Sequence, residues 1–265
     1  MLRSMYSGIS GMKGFQNKLD VIGNNIANVN TFGFKKGRVT FKDMVSQQIS
    51  GASAAAGGLG GTNPKQVGLG SQISTIDTLH TQGSLQTTAR PLDLGISGDG
   101  FFVLKNNTGD TLYTRSGNFY LDVNGDIVNS DGYYLQGATG SGANKKINIS
   151  TDTQSFSIGA DGSISVVGGT LTGGKVQIAK FPNPDGLEKV GSNMFISTNN
   201  SGTPVLSDPG AGGAGKIVAG TLEMSNVDLS EEFTEMIVAQ RGFQANTRII
   251  TTSDEILQEL VNLKR

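Results

Sequence analysis

The sequence predicts an α+β chain: long N- and C-terminal helices that pair as an α-helical, coiled-coil-like domain, with a mainly antiparallel β domain inserted between them. Three observations carry this expectation. Apolar residues recur at steps of seven at both ends of the chain, and the middle breaks into short β-forming runs separated by turn signals. The 39 glycines and 6 prolines among 265 residues call for many tight turns.

The C-terminal stretch, residues 226–265, sets the pattern. Leu229, Met236, Phe243, Ile250 and Leu257 step by seven, and Phe233, Ile237, Leu260 and Val261 widen the line into a stripe. Asp228 or Ser230 is placed to cap the helix start, Glu231 and Glu232 put negative charge at the positive end of the dipole, and Lys264 and Arg265 stand at the other end. At 1.5 Å per residue this helix runs roughly 50 Å, longer than a compact domain of this size needs. At the N-terminus Met5, Met12, Leu19 and Ile26 repeat the step of seven, with Phe15, Ile22 and Val29 beside them. Gly8, Gly11, Gly14 and Gly23 interrupt this first helix, each costing up to about 1 kcal/mol against Ala. The N-terminal helix is therefore expected to depend on a partner.

The first helix runs into Asn24-Asn25-Ile26-Ala27-Asn28-Val29-Asn30-Thr31-Phe32-Gly33-Phe34-Lys35-Lys36. This density of Asn before Gly33 reads as a helix end and a specific turn. Residues 37–49 form a short strand or helix, and Ser50 to Pro64 is a low-complexity flexible loop or linker. From Val67 to about Ala219 the chain has the rhythm of an antiparallel meander, in which Phe101–Leu104, Thr111–Arg115, Phe119–Leu121, Ile127–Asn129 and Tyr133–Leu135 are separated by Asn-Gly, Asp-Gly and similar turns. The expected domains are residues 1–36 with 220–265 as the helical assembly domain, 37–66 as the connecting region, and 67–219 as the β domain.

Composition narrows the function. A formal charge of −1 leaves no basic excess for nucleic acid, zero cysteines exclude disulfides and thiolate metal sites, and no apolar run is long enough to insert in a membrane. No cleavable signal stands at Met1. His80 is the sole histidine, expected on a strand or loop surface, so a multi-histidine metal site within one chain is impossible. Asp122, Asn124 and Asp126 mimic the start of a calcium loop, but Ile127 and Tyr133 stand where Gly and Glu are required, and a hairpin turn explains them. The glycines of Ser97-Gly-Asp-Gly and Gly68-Leu-Gly-Ser lack phosphate-loop spacing, and nothing in sequence places Asp93 and Asp99 as a glycosidase pair. No catalytic residue, cofactor or metal site is expected. A structural subunit is preferred to a wall-cleaving hydrolase or a monomeric binding module.

Four collinear blocks carry a resemblance. Asp20-Val-Ile-Gly-Asn-Asn-Ile-Ala-Asn-Val-Asn-Thr-Phe-Gly-Phe-Lys, Leu92-Asp-Leu-Gly-Ile-Ser-Gly-Asp-Gly-Phe-Phe-Val-Leu, Tyr113-Thr-Arg-Ser-Gly-Asn-Phe, and Ser225-Asn-Val-Asp-Leu-Ser with Met236-Ile-Val-Ala-Gln-Arg-Gly-Phe-Gln-Ala-Asn resemble the bacterial flagellar rod and hook proteins over nearly the whole chain. Asn24, Asn25, Asn28, Thr31, Gly33 and Phe34 are the matching motif positions, and Met5, Met12, Leu19, Ile26, Leu229, Phe233, Met236, Phe243, Ile250 and Leu257 are the expected assembly stripes. Val21-Ile-Gly-Asn-Asn-Ile-Ala-Asn, Val67-Gly-Leu-Gly and Leu260-Val-Asn-Leu are similar to the hook member, whereas the length is closer to the distal rod member. The resemblance implies a short hook subunit, with the distal rod as the alternative. It further implies a homopolymeric tube around an export channel, contacts with other axial proteins (distal rod, hook cap and hook–filament junction), and passage through the flagellar export apparatus. The expected location is the hook and basal body, outside the cell, without a cleaved signal peptide.

Overall fold

The structure is a computed structural model that describes residues 2–54, 60–106, 109–139 and 143–263. It is α+β, with a helix at each end and a mostly antiparallel β-rich middle. Helix α1 spans Leu2–Ala27 and α2 spans Leu229–Leu263. Asp228 is the residue that caps α2: its Oδ1 accepts the N–H of Ser230 at 2.8 Å, satisfying a donor that the helix itself leaves unpaired. The terminal cations Lys264 and Arg265 lie outside the described residues.

The chain divides into two compact units. The helical unit comprises residues 1–27, 37–77 and 228–265, and the β unit comprises 28–36 and 78–227. These boundaries differ from those read in the sequence. Residues 37–77 group with the helices, while 28–36 and 220–227 group with the β domain.

Within the helical unit, α1 and α2 pack against each other. Of the glycines read as weak points in α1, Gly11 has a packing reason, and so does Gly242 of α2, whereas a Cβ on Gly23 would meet nothing within 4 Å. A Cβ on Gly242 of α2 would stand 2.5 Å from the Phe15 ring of α1, and one on Gly11 would stand 2.8 Å from the Asn246 side chain. Helix propensity is given up so that the two backbones approach closely. Strand β1, Gly37–Asp43, pairs with a later strand of the same unit, whose Ser71–Thr78 we label β4 once β2 and β3 are placed. Those two, β2 (Ser46–Ser50) and β3 (Lys65–Gly68), pair antiparallel with each other, and a bridge joins Ser53 to Thr62. The expected linker, Ser50 to Pro64, is therefore the connection between two paired strands that flank it, and its residues 55–59 lie outside the described residues.

The β unit begins with β5 (Leu85–Thr87) and β6 (Leu94–Ser97), which pair with residues 221–223 and 216–219. Strands β7 (Phe101–Lys105) and β8 (Thr111–Thr114) form a hairpin at the centre of an 11-stranded sheet. On one side of β7 the sheet continues through residues 134–139, 127–128 and 120–121, and on the other side of β8 through 194–196 and 188–191. The strands expected as a meander between residues 101 and 135 all lie in this sheet but not in meander order, because residues 134–139 return to pair with β7 and residues 120–121 do not pair with β8.

Strand β7 explains why the sheet is buried on both faces. Phe102 and Leu104 enter one apolar cluster with Leu94, Ile127, Leu135 and Ile178, while Phe101 and Val103 enter a second with Tyr113, Phe181 and Phe195. Because successive strand residues point to opposite faces, an unbroken Phe-Phe-Val-Leu run is the sequence form of such a strand.

Candidate assembly surfaces and the signature cluster

Two kinds of site emerge from the geometry: apolar faces without cover in the chain, and a buried polar cluster around the Asn-rich signature. Neither has the arrangement of a catalytic centre.

The heptad residues of α1, namely Met5, Met12, Leu19 and Ile26, are half-buried, as are Met236, Phe243, Ile250 and Leu257 of α2. Leu229 and Phe233, at the start of α2, are exposed. The apolar surface of α2 is broader than one seam: Ile237 is 58% exposed, and Ile249, Ile256, Leu260, Val261 and Leu263 are also open. A helix that packs only one side of so wide a stripe leaves the remainder for another surface. The hairpin of β2 and β3 is similar. Every residue of both strands is exposed, with Ile49 at 64% and the neighbouring Val45 at 80%. An isolated two-stranded ribbon is marginal in water, so apolar side chains on it invite cover.

Signature residue Asn25 lies in the last turn of α1 and is buried. Its Oδ1 accepts the Gly37 N–H at 2.9 Å and its Nδ2 donates to the Gly37 carbonyl at 2.9 Å, so one side-chain amide pairs with a backbone unit as a strand would. The same Nδ2 donates to Glu232 Oε2 at 3.1 Å. Glu232 is therefore a buried acceptor within the helical unit as well as a first-turn acid. Asn24 is exposed, and Asn28 and Thr31 are half-buried, with the Thr31 hydroxyl donating to Asn28 Oδ1 at 3.1 Å. Gly33 has φ +70°, and a Cβ there would meet the Ser116 nitrogen at 2.6 Å, so only glycine fits. Phe34 is buried, with Lys189 Nζ 5.2 Å from its ring centre.

Beyond Phe34 lies an ion cluster within the β unit that the sequence does not announce. Glu223 is buried, with Oε1 accepting from Lys35 Nζ at 2.6 Å and from the Gly83 N–H at 2.9 Å. Its Oε2 accepts from Arg115 Nε at 2.6 Å. Lys35 also donates to the Thr81 carbonyl at 2.7 Å, and Arg115 donates to the carbonyls of Gly98 and Gly100. Burial holds Lys35 below the usual lysine value, against the opposing pull of Glu223. Every contact named is inside the fold, so the cluster fixes the register of segments distant in sequence.

His80 departs from its expected surface position. It is half-buried, with its ring 5.5 Å from those of both Phe101 and Phe195, and its Nδ1 is buried without a hydrogen-bond partner. Burial first, then the charges of Lys35, Lys189 and Arg115, lower its pKa to about 4. The calcium-loop mimic is a turn closed by the Gly125 N–H on the Asp122 carbonyl, with Asp126 buried against Lys146 at 2.7 Å. Asp93 is buried and accepts from Thr88 at 2.7 Å, whereas Asp99 is exposed. Among the described residues no cluster of three or more metal-ligating side chains is present, and no helix is long and apolar enough to cross a membrane.

Three family models match along the chain: a flagella basal body rod protein model at residues 5–35, the flagellar hook protein FlgE/F/G D1 domain at 95–166, and the flagellar basal body rod FlgEFG protein C-terminal model at 218–263. The chain is similar over its whole length to the flagellar basal-body rod protein FlgG of Bacillus subtilis, with 63% identity covering all of both chains. This chain belongs to the flagellar hook and basal-body rod family. It is also 38% identical to the rod protein FlgG of Borreliella burgdorferi over all of both chains, and 32% identical to the hook protein FlgE of the same organism over an alignment of 442 positions. Members of this family are structural, polymerised parts of the flagellar axis rather than enzymes.

Proposed function

We propose that this chain is a rod subunit of the flagellar basal body, the stiff drive shaft, and that it polymerises into a tube through its terminal helices. The observation that carries this reading is the 63% identity to a rod protein with full coverage of both chains, against hook relatives whose alignments extend to 442 and 464 positions for the 265 residues here. The hook relatives align over far more positions than this chain has residues, so they carry additional sequence that it lacks.

In this reading, the helical unit of residues 1–27, 37–77 and 228–265 supplies the assembly domain, with α1 and α2 paired in coiled-coil fashion. Their heptad residues form the seam, and Leu229, Phe233 and the open face of α2 meet neighbouring copies. The β unit, residues 28–36 and 78–227, supplies the outer domain. The exposed hairpin between residues 46 and 68 adds a second contact between copies. Other axial proteins cap or continue the tube, and the subunit reaches its place through the flagellar export apparatus.

Complementation separates the two branches. Expressed in a Bacillus subtilis strain lacking its rod protein FlgG, the chain is expected to restore motility, and in a strain lacking the hook protein it is expected not to. Rescue of the hook-deficient strain alone would overturn the rod reading. Electron microscopy of polymerised full-length chain gives a second readout, with straight tubes expected and supercoiled tubes counting against.

A further inference from the structure

A cavity of about 230 Å³ opens beside the buried ion cluster of the β unit. Its polar wall is made by Lys35, Arg115, Lys180 and His80, and its apolar wall includes Phe101 and Phe181. Asp99 is the carboxylate of its lining and is exposed. Two features of this wall point to a ligand. Glu223 alone is shared between the two buried cations Lys35 and Arg115, so one negative charge stands against two positive ones where water is scarce. The neighbouring His80 Nδ1 is buried and lacks a hydrogen-bond partner, a costly condition for a polar atom.

The field of these cations is felt by the groups around them. Lys35, Lys189 and Arg115 each push His80 toward its neutral form, adding to the effect of burial, and burial also lowers Lys35 and Lys189. The site is therefore short of negative charge, and its mixed lining selects among anions. A bare halide would leave the Phe101 and Phe181 surfaces without contact, whereas a carboxylate on a carbon stem satisfies both walls.

We propose that this cavity is a carboxylate-binding site, whose ligand is a carboxylate on a short aliphatic stem supplied by an acidic side chain of a second copy of the chain or by a free monocarboxylate. Lys180 is half-buried on the cavity wall, where its ammonium donates to the Gly213 carbonyl at 3.3 Å and remains available to a bound anion. Only the second-copy source rests on the chain's polymerisation.

The single histidine makes the test specific, because its imidazole proton signals report this cavity alone. Butyrate is titrated into the full-length protein at constant ionic strength, balanced with sodium chloride, and the His80 resonance is followed by NMR. A saturable shift is expected with butyrate and none with chloride alone. Lys180→Met, checked for an unchanged circular dichroism spectrum, is expected to weaken the apparent affinity about tenfold, the loss of one charge-assisted contact. No saturable shift, or equal affinity in Lys180→Met, would overturn the proposal. A second arm observes isotope-labelled His80 in assembled polymer by solid-state NMR without added carboxylate. A resonance already at the butyrate-saturated position identifies the second copy as the source, and one that still moves on adding butyrate identifies a free ligand.

Discussion

Replacing His80 with Phe isolates one titrating group in the β unit while preserving an aromatic ring against Phe101 and Phe195. In the folded chain His80 titrates at about 4, compared with an ordinary value of 6.5. Above pH 6.5 the imidazole is neutral in both folded and unfolded chains and contributes no pH dependence. As the pH falls from 6.5 the unfolded chain takes up a proton that the folded chain refuses, so stability declines until the folded imidazole itself titrates near pH 4. At about 1.4 kcal/mol per pH unit the full loss across that window is about 3 kcal/mol, reduced to about 2 by the solvent that still reaches the half-buried ring. Denaturant unfolding at pH 7, 5.5 and 4.5, followed by tyrosine fluorescence, checks this. The chain has no tryptophan, and four of its five tyrosines (Tyr113, Tyr120, Tyr133 and Tyr134) belong to the β unit. Other carboxylates add their own acid dependence to both proteins, so the quantity of interest is the difference in slope. His80→Phe is expected to lose roughly 2 kcal/mol less than the parent between pH 6.5 and 4. Parallel pH profiles would refute the placement of a neutral histidine among buried cations.

Three further outcomes follow from the packing. Glu223→Gln leaves Lys35 and Arg115 without their shared counter-charge and is expected to cost about 3–5 kcal/mol, seen as a fall of roughly 10 °C in the tyrosine-monitored melting of the β unit. Gly242→Val places a Cβ where only 2.5 Å separates it from the Phe15 ring, so the close approach of α1 and α2 is expected to be lost. Circular dichroism at 222 nm should show reduced helix and sedimentation should show no polymer, with β-unit melting unchanged. Shortening the hairpin by joining Ser46 to Gly68 through a two-residue turn removes most of two strands whose residues are all exposed, so monomer melting should hold while the rigidity of the tubes, measured as persistence length in micrographs, declines.

The legible parts of this fold are those with a local period. Steps of seven from Met5 and from Leu229 mark both helices, and the Phe101–Leu104 run bounded by turn signals marks the central strand, because side-chain direction repeats with the backbone in each case. The ion cluster has no such period. Lys35 is 188 positions from Glu223, and Arg115 is 108, so no spacing rule connects them. A weaker signal was present: each charge stands in an otherwise apolar or strand-forming context, as in Phe34-Lys35 and Leu222-Glu223-Met224. The hairpin between residues 46 and 68 was hidden for a different reason. Its strands bury neither face, so they carry none of the alternation by which a half-buried strand is recognised. Gly11 reads as a weak point because propensity is a property of the isolated helix, whereas its value lies in the Asn246 side chain that approaches it.

The two units divide polar and apolar burial in opposite ways, and the division bears on what a stability measurement reports. The β unit encloses Lys35, Arg115 and Glu223, an arrangement whose desolvation offsets most of its attraction, so the ion cluster favours one arrangement of distant segments more than it adds stability. The helical unit does the reverse, leaving Phe233, Ile237, Ile256 and Leu260 open to water. Fully covering an apolar side chain contributes about 1.5–3 kcal/mol, so these faces hold stabilisation that an isolated chain does not realise. Contacts made only by the folded chain raise its apparent stability with concentration. The helical signal should therefore melt at a higher temperature as protein concentration rises through the onset of polymerisation, while the β unit, whose core is closed within one chain, should melt at a temperature set by its own packing. A helical transition independent of concentration, in samples that sediment as polymer, would mean that the open faces of α2 are not the surfaces that assemble.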